Sequence, residues 1–362
     1  MKSCYIHIPF CEHICSYCDF CKIFYNDKIV DKYLDELGNE IENIYKGEEL
    51  DTIYIGGGTP SSLNISQLKR LFAIIDKFSM SCECEFTVEV NFENITREKL
   101  ALFKDNGVNR LSFGLESINK NNLELLDRNY SKNEVVSIIK MAKKMGFNNI
   151  NIDLMYALPR EEIKDLEDDL DFIFSLDVEH ISCYSLMIEE HTKLGINKVK
   201  NIDEELDFLM YETICRKMRE NGFIHYEISN YAKKGYSSRH NLCYWNNLEY
   251  YGFGLGASSY MGTRRINNTR SISKYLKGDH ILDYEELGKD ELVEYEIMLN
   301  LRKSEGVDLD KLEKVYGVML NYAWLVDLGL LEKFENRLFI PEDKWYISNE
   351  IIVQLLEGEK YE

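Results

Sequence analysis

Cys4-Tyr5-Ile6-His7-Ile8 is a short apolar run, and Cys11-Glu12-His13-Ile14-Cys15-Ser16-Tyr17-Cys18 follows it almost at once. The first stretch reads as a buried strand, and the second sets three thiols in one loop at CxxxCxxC spacing. Cysteines so spaced can wrap three corners of a cubane iron–sulfur cluster, whose complete ligation takes four thiolates. A loop that supplies only three leaves one iron open to a ligand and to chemistry. Cys21 extends the pattern to CxxxCxxCxxC, so a zinc tetrahedron or a fully ligated cluster can draw on the same loop. Spacing alone leaves both readings standing.

The strand before the cysteine loop is the first of a series. Further apolar, β-branched runs lie at Thr52–Ile55, Phe86–Val90, Leu111–Phe113, Ile150–Leu154 and His180–Leu186. Helical patterns fill the gaps. Asp31–Tyr45 sets Leu34, Leu37, Ile41 and Ile44 on one face, and Glu134–Met145 does the same with Val135, Ile138, Ile139 and Ala142. A repeat of about 30 residues predicts βαβ units and a parallel sheet. Six units are too few for a closed eight-stranded barrel, so the expected fold is α/β, an open partial (β/α)6 barrel of the TIM type. Functional groups then belong at the C-terminal ends of the strands. The cysteine loop follows the first strand and Gly56-Gly57-Gly58 follows the second, where that rule wants them.

This core is expected over residues 1–225. Residues 226–285 are rich in Tyr, Asn and Gly with little periodicity and read as a connecting region. From Glu286 a helix, a turn at Gly306, a further helix and a strand-like Arg337–Ile340 suggest a small helical or winged-helix-like module over 286–362.

Composition bounds the function. With 362 residues, 45% of them hydrophobic, the chain can bury a large core. No apolar run is long enough to span a membrane, and no basic-then-apolar leader opens the chain. Ten cysteines without such a leader fit a reducing cytoplasm, where thiols stay free for metal. A net charge of −20 argues against nucleic-acid partners, which need phosphate neutralisation by Lys and Arg.

Ile55-Gly-Gly-Gly-Thr59-Pro60 offers a backbone that another molecule can approach closely, with a hydroxyl beside it. A tight strand-to-helix turn is the better account of a lone glycine triplet; the neighbouring cysteine loop reverses the balance towards ligand binding. Glu89, Glu116, Arg128 and Asp153 fall at or just past predicted strand ends. Together they offer carboxylates for hydroxyls or an ammonium and a guanidinium for a carboxylate. Asp153 sits in the apolar run Ile150–Leu158, where an unpaired carboxylate is costly and needs a partner.

Tyr5-Ile-His-Ile-Pro-Phe-Cys11, the CxxxCxxC loop, Gly-Gly-Gly-Thr59-Pro, Asn109-Arg-Leu-Ser-Phe-Gly114 and Asn151-Ile-Asp153-Leu-Met-Tyr-Ala-Leu-Pro159 together resemble the radical S-adenosylmethionine superfamily. Within it they are similar to the branch of the oxygen-independent coproporphyrinogen oxidases. Tyr226-Glu-Ile-Ser-Asn-Tyr-Ala-Lys-Lys-Gly-Tyr236 and His240-Asn-Leu-Cys-Tyr244-Trp245 resemble the HemW branch of heme chaperones. The likeness runs from about residue 4 to 260, with a weaker C-terminal part.

The resemblance implies that Cys11, Cys15 and Cys18 hold a [4Fe–4S] cluster whose open iron chelates S-adenosylmethionine and drives release of a 5′-deoxyadenosyl radical. It implies contacts to S-adenosylmethionine from Tyr5, Tyr17, Gly57, Gly58, Thr59, Glu89, Glu116, Arg128 and Asp153. Glu116 stands where this branch usually has glutamine, and Ala157 where a glycine is common. His240 of the HNxxYW stretch is the implied heme ligand, with Tyr244 and Trp245 against a porphyrin face. The bland alternative is a histidine hydrogen-bonded inside a Tyr- and Asn-rich loop. The implied partners are heme or a porphyrin, a heme-receiving apoprotein and an electron donor, with room for peripheral membrane association. Two activities follow: a heme chaperone, favoured by the HNxxYW stretch, and a radical oxidative decarboxylase of coproporphyrinogen in porphyrin biosynthesis.

Overall fold

Alternation along six parallel strands sets the architecture of this computed structural model, which describes residues 2–358. In β1 (Ser3–Ile8), Cys4, Ile6 and Ile8 are fully buried in the main core, so Tyr5 and His7 face the other way. The same holds for β2 (Leu50–Gly57), β3 (Met80–Asn91), β4 (Arg110–Glu116), β5 (Ile150–Tyr156) and β6 (His180–Ser185). Their apolar residues, among them Ile53, Val88, Phe113, Ile152 and Ile181, pack outward under the helices. The intervening Tyr54, Glu89, Asn91, Arg110, Ser112, Asn151, Asp153, Ser182 and Tyr184 line a common inner cavity.

β1 to β6 pair in sequence order and all in parallel. Helices α1 (Asp27–Ile44), α2 (Ile65–Ile75), α3 (Arg97–Asp105), α4 (Lys120–Leu126), α5 (Lys132–Lys144), α6 (Ile163–Ser175) and α7 (Glu204–Glu220) make the connections. Their starts are written in the sequence. Asn64 with Gln67 and Ser131 with Glu134 form reciprocal capping boxes, and Asn26 caps α1. Strands β1 and β6 do not pair, so the six-unit barrel is open, as expected.

The sheet does not stop at six strands. A hairpin of β7 (Ile224–Glu227) and β8 (Asn230–Ala232) adds antiparallel to β6. Helix α8 (Arg239–Trp245) then leads to β9 (Tyr250–Phe253), which pairs in parallel with the free edge of β1. β10 (Ser258–Met261), β11 (Arg264–Asn268) and β12 (Ile281–Glu286) continue as a meander, giving twelve strands in one sheet. The expected boundary at 225 therefore falls inside β7, and 226–285 belongs to the sheet. The missing signal has a physical cause. Every residue of β12 is exposed, so it carries no alternation. β9 is four residues long and includes Gly252, where a Cβ would clash with the Ser258 carbonyl oxygen.

Residues beyond Gly288 gather a second core around Ile297, Leu301, Leu312, Leu325, Leu338, Trp345 and Ile351. It holds a three-stranded sheet of Val307–Asp308, Arg337–Phe339 and Glu332–Phe334. Trp345 donates its indole N–H to the Ile340 carbonyl at 2.8 Å and meets His225 of β7 edge-on at 4.3 Å. Among the described residues no helix is long and apolar enough to cross a membrane.

Candidate functional site

The cysteine loop leaves β1 and is fastened at several points. Phe10–Cys11 pairs with Ile23–Phe24, and the Tyr25 amide donates to the Cys11 carbonyl at 2.9 Å. The Ser16 amide donates to Leu126 at 3.3 Å, and the Leu194 amide to Ser16 at 3.1 Å. So held, Cys11, Cys15 and Cys18 line a cavity of about 390 Å³ at the C-terminal ends of the parallel strands. Burial pushes the thiols of Cys11 and Cys15 up to about 11. The nearby hydroxyl of Thr59 draws Cys11 back down, as the Arg128 guanidinium does for Cys15.

The donor set suits a cluster better than a single ion. Among the described residues no three His, Cys, Asp or Glu side chains converge tightly enough to hold one metal ion. A cubane takes its thiolates at separate corners. Cys21 lines a separate cavity, with His7 and Arg270.

The glycine triplet is required by close packing. A Cβ at Gly56 would lie 2.7 Å from Glu89 Oε1, and one at Gly58 2.7 Å from the Pro9 carbonyl carbon and 2.9 Å from Cys11 Sγ. Gly57 adopts φ +118, where L side chains are strained. The end of β2 thus presses against both the cysteine loop and Glu89. Thr59 Oγ1 donates to Cys11 Sγ at 3.6 Å and accepts from Asn91 Nδ2 at 3.1 Å.

Beside Asp19, the carboxylates of Glu89, Asp153 and Glu116 line this cavity. Glu89 accepts from the Gly57 amide and the Tyr54 hydroxyl, each at 2.9 Å; burial still pushes it up to about 7. Asp153 finds the partners its apolar run demanded, Asn151 Nδ2 at 2.7 Å and Ser112 Oγ at 3.4 Å; burial raises it too. Glu116 accepts from Tyr17 at 2.9 Å, lies 3.9 Å from Arg128 and is pushed up to about 7 by burial. Glu116 has φ +60 and Ala157 φ +61, the left-handed region that favours glycine. Arg128 donates to the Gly114 carbonyl at 2.5 Å and stands 3.7 Å from Glu93, while its buried Nε has no partner. An acidic cavity that also presents the guanidiniums of Arg110 and Arg128, each with an orphaned Nε, suits a cationic zwitterion that carries a carboxylate.

The structure thus gathers Cys11, Cys15, Cys18, Tyr17, Gly57, Gly58, Thr59, Glu89, Glu116, Arg128 and Asp153 around one space. Tyr5 stands apart: its ring lies behind Tyr54 at 6.1 Å, and its hydroxyl bonds His7 Nδ1 at 2.9 Å. His240 departs further. It is 1% exposed at the opposite end of the strands, with Nδ1 2.7 Å from Thr52 Oγ1 and Nε2 2.7 Å from the Tyr244 hydroxyl. Both ring nitrogens are used, and Glu85 accepts from its backbone amide at 3.0 Å. Each ring nitrogen of His240 thus has a hydrogen-bond partner in this arrangement. Sequence reasoning passed over Tyr54, Asn91, Arg110, Ser112, Asn151, Ser182 and Tyr184. Their signal was alternation: polar residues at every second position of strands that are buried on both faces.

The profile of the Radical SAM superfamily matches residues 5–173. The chain is 39% identical to the heme chaperone HemW of Bacillus subtilis, over 97% of this chain and 98% of that protein. It is 36% identical to the HemW of Lactococcus lactis, over 98% and 97%. In fold it superposes on the coproporphyrinogen III oxidase of Escherichia coli with a TM-score of 0.86, at 21% identity, over 97% of this chain and 89% of that one. The cysteine loop, the strand-end cavity and relatives that match nearly end to end place this chain in the HemW family of the radical SAM superfamily.

Proposed function

We propose that the protein is a heme chaperone that holds a [4Fe–4S] cluster on Cys11, Cys15 and Cys18 and S-adenosylmethionine beside it, and passes heme to an apoprotein. The observation that carries the cofactor reading is the convergence of three thiols, a close-packed glycine turn and the carboxylates of Glu89, Glu116 and Asp153 at one end of a parallel barrel. The chaperone reading rests on relatives of that name matched over nearly the whole chain. When bound, the cluster supplies an open iron and an electron. The protein's own groups do the rest. Glu89 and the Gly57–Thr59 backbone receive the ammonium end of the zwitterion, and Asp153 takes hydroxyls of the ribose. Arg128 pairs with the carboxylate, and Glu116 offsets the sulfonium charge. This work belongs in the cytoplasm, where thiols stay reduced. Anaerobic reconstitution tests the cofactor reading. The account expects about four irons per chain, as one cubane requires, with loss of the cluster in Cys11→Ala, Cys15→Ala or Cys18→Ala and retention in Cys21→Ala. Zinc at one per chain would contradict it.

A further inference from the structure

A buried polar line joins the cofactor cavity to the two stretches Tyr226–Tyr236 and His240–Trp245. Asn151 and His180 stand opposite one another on the parallel strands β5 and β6. Asn151 Nδ2 lies 2.7 Å from Asp153 Oδ1, and Asn151 Oδ1 lies 2.6 Å from His180 Nδ1. His180 Nε2 lies 2.7 Å from the hydroxyl of Tyr226 in β7, and that hydroxyl accepts from the Ser238 amide at 3.1 Å. Ser238 caps α8, its Oγ accepting from the Asn241 amide. Asn151, His180, Tyr226 and Ser238 are all buried, where a hydrogen bond is electrostatically stronger than in water.

Chemistry fixes the direction of the line. An ionised carboxylate only accepts, so Asn151 turns its NH2 to Asp153 and its oxygen to His180. His180 must then carry its proton on Nδ1. Burial, with Arg110 nearby, holds the His180 ring well below its ordinary value and so neutral, which leaves Nε2 an acceptor. The Tyr226 hydroxyl therefore donates to Nε2 while it accepts from Ser238. Four donors in a row point the same way, from the start of α8 to Asp153, and bonds in such a chain polarise one another. We propose that His180 and Tyr226 are positioning residues for S-adenosylmethionine: they fix the orientation of the Asn151 amide, and through it the carboxylate that meets the ribose. The inference rests on the cofactor reading of Asp153 and supplies the residues behind it. Burial raises the Asp153 carboxyl, and Asn151 is the foremost group drawing it back down. Ser112 Oγ and Ser182 Oγ also touch the Asn151 amide, at 2.7 and 3.1 Å. A hydroxyl serves either end of an amide, so neither serine orients it. A flipped Asn151 would set its oxygen against the Asp153 carboxylate, acceptor against acceptor, and the Nδ1–H of His180 holds it from that flip.

The test is calorimetry of S-adenosylmethionine binding to the anaerobically reconstituted full chain. Tyr226→Phe removes one hydroxyl and should weaken binding about threefold; His180→Leu removes the Nδ1 donor and should weaken it about tenfold, the span of one hydrogen bond. Both should keep the iron–sulfur absorbance. His180→Asn, whose amide N–H can stand where Nδ1 stood, should restore binding to within about threefold of wild type. A packing role alone predicts no such rescue, since the amide is smaller than the imidazole. Asparagine no better than leucine at 180 would therefore overturn the inference. So would wild-type affinity in Tyr226→Phe and His180→Leu beside weakened binding in Asp153→Ala, an outcome that leaves the cofactor site standing. Should the His180 variants fail to fold, Tyr226→Phe decides alone. Unchanged binding in Asp153→Ala would overturn the cofactor reading of that residue and the inference with it.

Discussion

Asp153 is the residue whose chemistry the sequence stated most directly. A carboxylate inside an apolar strand demands a partner, and Asn151 and Ser112 provide it from adjacent inward positions. Hydrogen bonds to charged groups contribute about 1.5–3 kcal/mol, so Asp153→Ala should weaken S-adenosylmethionine binding by about tenfold or more with the cluster intact. Isothermal calorimetry checks this. Glu89 sets a pH dependence. Its folded value of about 7 lies above the ordinary 4.5, mainly through burial, with Asp153 raising it and Gly57, Tyr54 and Arg110 drawing it down. Between those values the folded chain keeps a proton that the unfolded chain has lost. That contribution to stability is complete below about pH 4.5 and fades as pH climbs through about 7. The ligand-free melting temperature should therefore fall from about pH 5 to about pH 8, and Glu89→Gln should flatten the fall. S-adenosylmethionine, which brings positive charge, should bind more tightly over the same rise. His240 was legible as a motif, while its hydrogen bonds to Thr52 and Tyr244 had to be seen.

Among the elements, the six βα units could be read from their period, since β1 to β6 bury one face in the core and the other in the cavity. Strands β9 to β12 could not. They are short or exposed, and their place is set by pairing with β1 from nearly 250 residues away. The glycine turn was legible as a place of close approach, while what approaches, Pro9 and Cys11 Sγ, had to be seen. Gly58→Ala tests this. Its Cβ would stand 2.7 Å from Pro9, and overpacking of this kind costs about 1–3 kcal/mol. The variant should melt earlier and retain less iron after reconstitution. Unchanged iron content would show that the cysteine loop does not depend on the turn.

At the scale of the whole molecule, the C-terminal residues build a core apart from the main one. The C-terminal core closes around Trp345, which is 3% exposed and touches His225 of the sheet. Trp345→Ala should cost about 3–5 kcal/mol, read by denaturant unfolding, while the cluster loop, packed in the other core, keeps its iron–sulfur absorbance. The central claim is that this assembly moves heme. The most direct measurement incubates the reconstituted, heme-loaded protein with a heme-free apoprotein, and in parallel supplies S-adenosylmethionine, reductant and coproporphyrinogen. The account predicts that heme absorbance transfers to the apoprotein and that coproporphyrinogen is not decarboxylated. Carbon dioxide released from coproporphyrinogen, with no heme transferred, would contradict it and make the protein an oxidase.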